Sequence, residues 1–289
     1  MLSIIKKGYI YAIISAVLFG TAGIFVKLSY ETGLNSINLL TFQYIIGVII
    51  MFIIAFIKNK NMLHIRKTEL LHLVVLGVVG NTLMTLFYYK AFEYLPVAIV
   101  TMLLYTSPII IALYTSLFRN TRLGIRKIIA ISIAFSGCLL TLNILFGNFT
   151  FSDKGVLFGL LSAIFYSFMS LYSEKHLKAV NSLAINAYST LFSLITLIIC
   201  NPPKFLFTSV ITYKSIEYTI ILAIFCEIVP LTLLYSAIKL LGAVKVSIIS
   251  NLEIPTAIIL SIFLLREDIS FTQVIGAIFI IYAIYLVSD

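Results

Sequence analysis

The chain is a succession of long apolar runs, and this pattern restricts its possible folds more than any other feature. Hydrophobic residues make up 61% of the 289 residues and charged residues only 11%. No gap between apolar runs exceeds roughly 15 residues, which is far too short for a water-soluble domain. The sequence therefore predicts an integral membrane protein whose function lies within the membrane.

The length of the apolar runs indicates helical spans. A helix needs about 20 mainly apolar residues to cross a bilayer, and charged or Pro/Asn-rich breaks divide the chain into ten such segments. Long continuous runs favour helices over the strict alternation of a membrane β-barrel. We therefore predict an all-α protein with ten transmembrane helices, at residues 8–28, 36–57, 70–89, 95–118, 124–146, 155–173, 182–200, 216–239, 243–265 and 271–287.

The basic residues indicate how these spans are oriented. The net charge is +9, with 20 Lys and Arg residues, and these lie mostly in short loops, so we expect no nucleic-acid partner. Fourteen of them fall on the side of the two termini and six on the opposite side. The positive-inside rule then places both termini in the cytoplasm of a multi-pass protein of a cell membrane, with a bacterial membrane as the expected location.

A shift of 147 residues brings the two halves of the sequence into register. The aligned pairs are Gly8 with Gly155, Ser15 with Ser162, Tyr88 with Tyr235, Pro108 with Pro255, and Arg119 with Arg266. Five spans are an odd number, so consecutive copies enter the membrane from opposite sides. The pattern predicts an inverted repeat of residues 1–147 and 148–289, although chance similarity between Leu- and Ile-rich helices is an alternative.

Two carboxylates are expected deep in the membrane. Glu227 falls about half way along the eighth predicted span and Glu253 about half way along the ninth. A charge at a helix centre costs about 2.5–3.5 kcal/mol on insertion scales, so such residues indicate function. We hypothesise that one of them binds a proton or a cationic group of the substrate, the alternative being a structural, neutral glutamate.

Other polar, aromatic and proline residues within the spans complete the predicted site. Asn81, Gln43 and Asn186 are candidate substrate-binding residues, although bonding between helices is an equal alternative. Four tyrosines are candidates for aromatic walls around a flat or cationic metabolite, although packing is the more common role of such residues: Tyr88, Tyr105, Tyr166 and Tyr235. Three prolines inside spans are candidate hinges, with static kinks as the alternative: Pro108, Pro230 and Pro255.

Four short motifs link the chain to a known family. They are Ser-Ala at 15–16 and 162–163, Tyr-Thr-Ser-Pro at 105–108, Asn-Leu-Glu-Ile-Pro at 251–255, and Leu-Leu-Arg-Glu-Asp-Ile at 264–269. With the layout of five plus five spans, the chain resembles the EamA-type transporters of the drug/metabolite transporter superfamily. The resemblance implies a ten-helix carrier with a central cavity, and it favours export. Two positions depart from the family's pattern: Ile254 separates Glu253 from Pro255, and Asn120 corresponds to Glu267.

These observations favour a secondary active transporter of a small organic metabolite, such as an amino acid or a drug-like solute. We expect alternating access, protons as a second partner beside the substrate and the lipid bilayer, and no cofactor or metal. The three cysteines lack metal-ligand spacing and are expected to be small buried residues. One chain suffices for a carrier, and the oligomeric state stays open. The alternative class is a membrane-embedded enzyme acting on a lipid or isoprenoid.

Overall fold

Every regular element that the structure describes is a helix. The computed structural model describes residues 2–58, 60–119, 124–141, 152–207, 211–265 and 270–288. Within these ranges the elements are α-helices, two π-helical turns and short 3-10 helices. A helix pairs its backbone groups internally, which is what a membrane interior requires. The predicted all-α fold is confirmed.

The first half of the chain forms eight α-helices and the first π turn. They are α1 (Leu2–Phe19), α2 (Ala22–Glu31), α3 (Ser36–Lys58), α4 (Lys67–Val75), the π turn Leu76–Asn81, α5 (Thr82–Tyr94), α6 (Val97–Leu104), α7 (Ser107–Phe118) and α8 (Ile125–Thr141). Short 3-10 helices occur at Lys60–Leu63 in this half and at Lys204–Phe207 in the second.

The second half forms seven α-helices and the second π turn. They are α9 (Asp153–His176), α10 (Ser182–Cys200), α11 (Tyr213–Leu222), the π turn Ala223–Ile228, α12 (Val229–Leu241), α13 (Ala243–Ser250), α14 (Glu253–Leu265) and α15 (Phe271–Ser288). Gly242 connects α12 to α13 with a φ of 84°, a conformation that side chains disfavour and glycine adopts readily.

Seven helical segments of the described chain are long and apolar enough to cross a membrane. They are Ile4–Glu31, Ser36–Lys58, Lys67–Tyr94, Ile99–Phe118, Asp153–His176, Ser182–Cys200 and Tyr213–Leu241. The other three predicted spans fall on α8, on α13 with α14, and on α15. The total of ten stays a prediction, because α8 is described only to Thr141, two residues separate α13 from α14, and the apolar part of α15 is short.

The bounds of several elements recur along the chain. Both bounds of α12 equal those of α5 plus 147, and both bounds of the second π turn equal those of the first plus 147. The interruption after α6, at Tyr105, and the one after α13, at Asn251, obey the same shift to within one residue. This shift of 147 residues is the same one that aligns the two halves of the sequence.

The two halves exchange their first helices. Helix α1 packs chiefly against α12, and α9 packs chiefly against α5. A Cβ atom at Gly8 would lie 2.8 Å from Leu241 Cγ, and one at Gly155 would lie 2.6 Å from Leu95 Cγ. Both distances are too short for a real side chain, so glycine permits each close helix approach. This exchange interlocks the halves and leaves the central cavity between them.

Some predicted features lie elsewhere or beyond the described residues. Cys138 and Cys226 are buried, but Cys200 is exposed. The expectation of burial is wrong for Cys200 because this residue ends α10 at the edge of the bundle. Asn120, the end of the predicted span 124–146, and residues 266–269 of the last motif lie outside the described residues.

Candidate functional site: a central cavity

Seven of the nine predicted binding residues line one cavity between the two halves. They are Gln43, Asn81, Tyr88, Tyr105, Tyr166, Glu227 and Glu253. The cavity has a volume of about 60 Å³, enough for a few water molecules. The rest of its wall is mainly apolar and includes Phe19, Met84, Leu104, Met169, Leu231 and Leu234. Among the described lining residues, the two glutamates carry the only formal charges.

Glu253 lies at the break between α13 and α14, where three tyrosine hydroxyls meet. The Tyr88 hydroxyl donates a hydrogen bond to Glu253 Oε1 at 3.4 Å, and the Tyr105 hydroxyl donates to the Ser250 carbonyl at 3.3 Å. The Tyr166 hydroxyl lies 3.4 Å from Ser250 Oγ. Glu253 is also the first residue of α14, and the positive end of a helix dipole stabilises a carboxylate.

Glu227 lies in the second π turn, beside a network of hydroxyl and amide groups from α10. Its Oε1 atom is 2.7 Å from the Thr190 hydroxyl, which in turn is 3.1 Å from Asn186 Oδ1. Asn81, the last residue of the first π turn, donates from Nδ2 to Thr190 Oγ1 at 3.4 Å. All of these side chains are buried. The network therefore joins both π turns through α10.

Two of the nine predicted residues lie behind the cavity wall. The Asn186 Nδ2 group donates to the carbonyls of Glu227 and Ile228, at 3.1 and 3.2 Å, and to Thr232 Oγ1 at 3.0 Å. Asn186 thus binds backbone carbonyls at the end of the π turn. Tyr235 is buried, and its hydroxyl has no hydrogen-bond partner among the described residues. Neither side chain lines the cavity. Helical periodicity alone could not predict which face of α10 or α12 points inward.

The structure adds lining or supporting residues that sequence reasoning missed. Tyr89 lines the cavity, and its hydroxyl donates to Gln43 Oε1 at 2.7 Å. Ser250 and Cys226 line it as well. Thr190 follows Asn186 by one helical turn, so the spacing of polar residues on α10 was the signal that could have identified it.

Each candidate hinge proline lies in the first turn of a helix that follows an interruption. Pro108 is the second residue of α7 and Pro230 the second residue of α12, directly after the π turn. Pro255 is the third residue of α14. A proline is tolerated in the first helical turn, because the N–H group that it lacks would have no partner within the helix there. The helices are therefore interrupted just before the prolines, and the role of the prolines as hinges stays a prediction.

Charged side chains join helices at the ends of spans. Arg119, just after α7, forms an ion pair with Glu174 near the end of α9, and its other nitrogen donates to the Leu171 carbonyl at 3.3 Å. Lys27 of α2 donates to the carbonyls of Phe92 and Leu95, beside the end of α5. Lys27 and Glu174 are equivalent under the shift of 147. In the part of the chain that the structure describes, no three His, Cys, Asp or Glu side chains are grouped to hold a metal ion.

A bundle of long apolar helices around a small, carboxylate-bearing cavity defines a multi-pass membrane protein with an internal polar site. The chain belongs to the EamA-like transporter family, which matches residues 6–143 and, a second time, residues 153–289. The protein is therefore a membrane transporter, as the motifs predicted.

Relatives that match this chain over nearly their whole length are named as transporters. An uncharacterized inner membrane transporter, YicL, of Salmonella typhimurium is 26% identical and is matched over 98% of this chain and 95% of its own. An uncharacterized transporter of Clostridium kluyveri is 25% identical, over 96% and 91% of the two chains. A solved structure described as "Crystal structure of protein" superposes with a TM-score of 0.77 at 16% identity, covering 97% of this chain and 96% of the other. This last likeness concerns the fold alone.

Proposed function

We propose that the protein is a secondary active transporter that moves a small organic metabolite across the cell membrane by alternating access. In this proposal ten helices form two inverted halves, residues 1–147 and 148–289, related by an axis in the membrane plane. The recurrence of element bounds after 147 residues supports it, as does the pair of family matches, one in each half. The exchange of α1 and α9 between halves supports a shared central site.

The observation that carries the proposal is the pair of buried glutamates on the cavity wall. Buried carboxylates in a membrane protein are costly and are kept for a ligand or an ion pathway. Both lie beside interruptions of helices, where a small change of backbone geometry can alter access. The cavity of about 60 Å³ is far smaller than the 300–1,000 Å³ or so of typical ligand pockets. Such a volume suits a closed state without substrate, and the cavity would widen to admit the substrate when one end of the bundle opens.

We further propose that transport is coupled to protons, that the direction is export, and that both termini are cytoplasmic. A glutamate can exchange its proton between the two sides of the membrane as the halves move, which gives a chemical basis for coupling. The seven cavity residues are the proposed substrate site, with Asn186 and Tyr235 as supporting residues. Pro108, Pro230 and Pro255 are proposed to preserve the interruptions at which the helices bend.

Counterflow in proteoliposomes tests this proposal. A thermal-shift screen of metabolites with the purified protein selects solutes that stabilise it, and vesicles preloaded with a hit are then diluted into the labelled hit. We expect saturable, transient accumulation, and its absence from vesicles that hold the variant with both glutamates replaced by glutamine. Conductance that rises linearly with voltage would indicate a channel instead, and conversion of a lipid or isoprenoid without flux would indicate an enzyme.

A further inference from the structure

The two cavity glutamates have different surroundings, and the difference assigns each a role. Glu253 lies among phenolic hydroxyls and aromatic rings, whereas Glu227 lies beside the hydroxyl of Thr190 and the amides beyond it. Two carboxylates in unlike environments commonly divide the work of a site. The tyrosine cage is defined here as Tyr88, Tyr105 and Tyr166, which line the cavity and direct their hydroxyls to Ser250 and Glu253.

The surroundings of Glu253 match an organic cation. The Tyr88 hydroxyl is a donor to the carboxylate, and the N-terminus of α14 places positive partial charge beside it. A carboxylate bordered by tyrosine rings is the chemistry that recognises ammonium groups through charge and cation–π attraction. The apolar wall formed by the side chains of Phe19, Met84 and Met169 suits a hydrophobic substituent on the same solute.

The same wall offers nothing to pair with an acidic substrate. None of its described residues is Lys, Arg or His. A carboxylate or phosphate in this cavity would lie near two glutamates without a basic partner, and burying an unpaired charge is strongly unfavourable. The site therefore selects against anions, and against zwitterions through their acidic group.

The surroundings of Glu227 match a proton instead. When Glu227 is ionised, the Thr190 hydroxyl donates to it across 2.7 Å. When Glu227 is protonated, it donates to Thr190 Oγ1, and Thr190 turns its own proton to Asn186 Oδ1 at 3.1 Å. A hydroxyl has one donor and two acceptor sites, so Thr190 can also keep the bond from Asn81. Both states of Glu227 are satisfied without movement of the heavier atoms.

The other titratable groups near Glu227 do not compete for this role. The side chains that interact with it electrostatically are Tyr44 of α3, Tyr89 of α5, Tyr235 of α12 and the neighbouring Cys226. Among the described residues, the charges and hydrogen bonds that act on Glu227 include no lysine, arginine or histidine. No basic side chain among these neighbours therefore neutralises Glu227 in place of a proton.

Building on the proposed transport function, we infer that the substrate carries an ammonium group and no acidic group, and that this ammonium pairs with Glu253 in the tyrosine cage. Glu227 carries the proton that is exchanged for it. Thr190 is a positioning residue that acts through Glu227. The asymmetry between the two glutamates is thus the basis of coupled exchange.

Three benzene derivatives with fixed charge states test the choice of substrate. They are phenyltrimethylammonium as the cation, benzenesulfonate as the anion and phenylalanine as the zwitterion. Binding is measured on the purified protein in detergent, and exchange is measured separately by counterflow. We expect phenyltrimethylammonium to bind and exchange in preference to the other two. Binding without exchange would support the cation site and contradict the carrier. Preference for phenylalanine or benzenesulfonate, or no binding of phenyltrimethylammonium, would overturn the inference. If phenylalanine or benzenesulfonate were exchanged, the proposed carrier function would still stand.

Single substitutions test the division between the glutamates. Glu253→Gln should weaken binding of phenyltrimethylammonium at least about tenfold, and Glu253→Asp should recover part of it. Glu227→Gln should abolish the acceleration of exchange by an imposed pH gradient, because glutamine cannot release a proton. Thr190→Val should shift the pH dependence of exchange and leave cation binding intact.

Glu31→Gln, at an exposed position, is the matched control, and melting curves of every variant report folding. Unchanged binding in Glu253→Gln, or continued drive by the gradient in Glu227→Gln, would overturn the assignment.

Discussion

The two halves of the protein share the positions of their helices but not the chemistry of their side chains. Under the shift of 147, Glu227 corresponds to Gly80 and Glu253 corresponds to Thr106. Both cavity carboxylates therefore come from the second half, while the first half contributes Gln43, Asn81 and most of the lining tyrosines. The scaffold is repeated, and the charged groups are not. The recurrence thus concerns the positions of the helices along the chain, whereas the charged groups of the cavity belong to the second half alone.

The first helices of the two halves differ in a related way. The span formed by α1 and α2 is interrupted at Gly20 and Thr21, whereas α9 is continuous from Asp153 to His176. A Cβ atom at Gly20 would lie 2.9 Å from the carbonyl oxygen of Glu253. The equivalent residue in α9, Ser167, carries a side chain, and its hydroxyl lies 2.7 Å from the Ala163 carbonyl of its own helix and 3.3 Å from the Ser107 carbonyl of α7. The interruption thus occurs where the backbone approaches the carboxylate-bearing half.

Removal of both carboxylates is the change with the largest expected effect. Glu227→Gln combined with Glu253→Gln should reduce exchange by more than about tenfold, to the level of protein-free vesicles, since no charged group of the described wall then remains. The melting temperature should stay the same or rise, because burying a charge costs free energy. Initial rates of counterflow and a melting curve measure the two effects. Exchange at the normal rate in the double variant would show that the asymmetry of charge has no role in transport.

A side chain at Gly77 in the first π turn should destabilise the fold more than it affects the site directly. A Cβ atom there would lie 2.5 Å from the Ser189 carbonyl oxygen, although the equivalent residue of the second π turn, Ile224, carries a side chain. Gly77→Ala should cost about 1–3 kcal/mol of stability through overpacking. Gly124→Ala is the control, since no atom lies within 4 Å of a Cβ there. Equal melting temperatures for the two variants would contradict the close approach of the first π turn to α10.

The serines of the repeated Ser-Ala pairs should differ in importance. The Ser15 hydroxyl donates to the Pro230 carbonyl in the other half at 2.8 Å, whereas the Ser162 hydroxyl donates to Gly159 in its own helix at 2.6 Å. Ser15→Ala should lose about 0.5–1.5 kcal/mol of stability by removing a buried hydrogen bond between the two halves. Ser162→Ala should lose less. Thermal or denaturant unfolding compares them, and a larger loss for Ser162→Ala would reverse the comparison.

The ion pair between Arg119 and Glu174 should have the smallest effect. Its side chains are 28% and 15% exposed, and a pair that is partly exposed to solvent contributes about 0.2–1 kcal/mol. Arg119→Ala should therefore change exchange rates by about fivefold or less. The charge swap Arg119→Glu with Glu174→Arg should restore the rate. If the swap were no better than the single variant, the pairing of these two charges would have no role in exchange.

Much of the fold could be predicted from the sequence, because membrane spans are specified by long runs of one kind of residue. Glu227 and Glu253 were placed half way along predicted spans, and the structure buries both side chains. The π turns could not be predicted, since one extra residue per turn leaves the apolar pattern of a span unchanged. Asn186 was predicted to face the cavity and instead binds the carbonyls of Glu227 and Ile228. Its face on α10 is set by packing against α3, the first π turn and α12, which no local pattern records.

Accessibility of the cavity from the two sides of the membrane tests the central claim of alternating access most directly. Thr85 lines the cavity, so Thr85→Cys in a chain without Cys138, Cys200 and Cys226 provides one reactive thiol. Its modification by an impermeant thiol reagent is timed from each side of sealed vesicles, under proton gradients of either direction. A carrier predicts that the rate from one side rises as the rate from the other falls when the gradient is reversed. Rates that rise together, or modification from one side only under both gradients, would contradict alternating access.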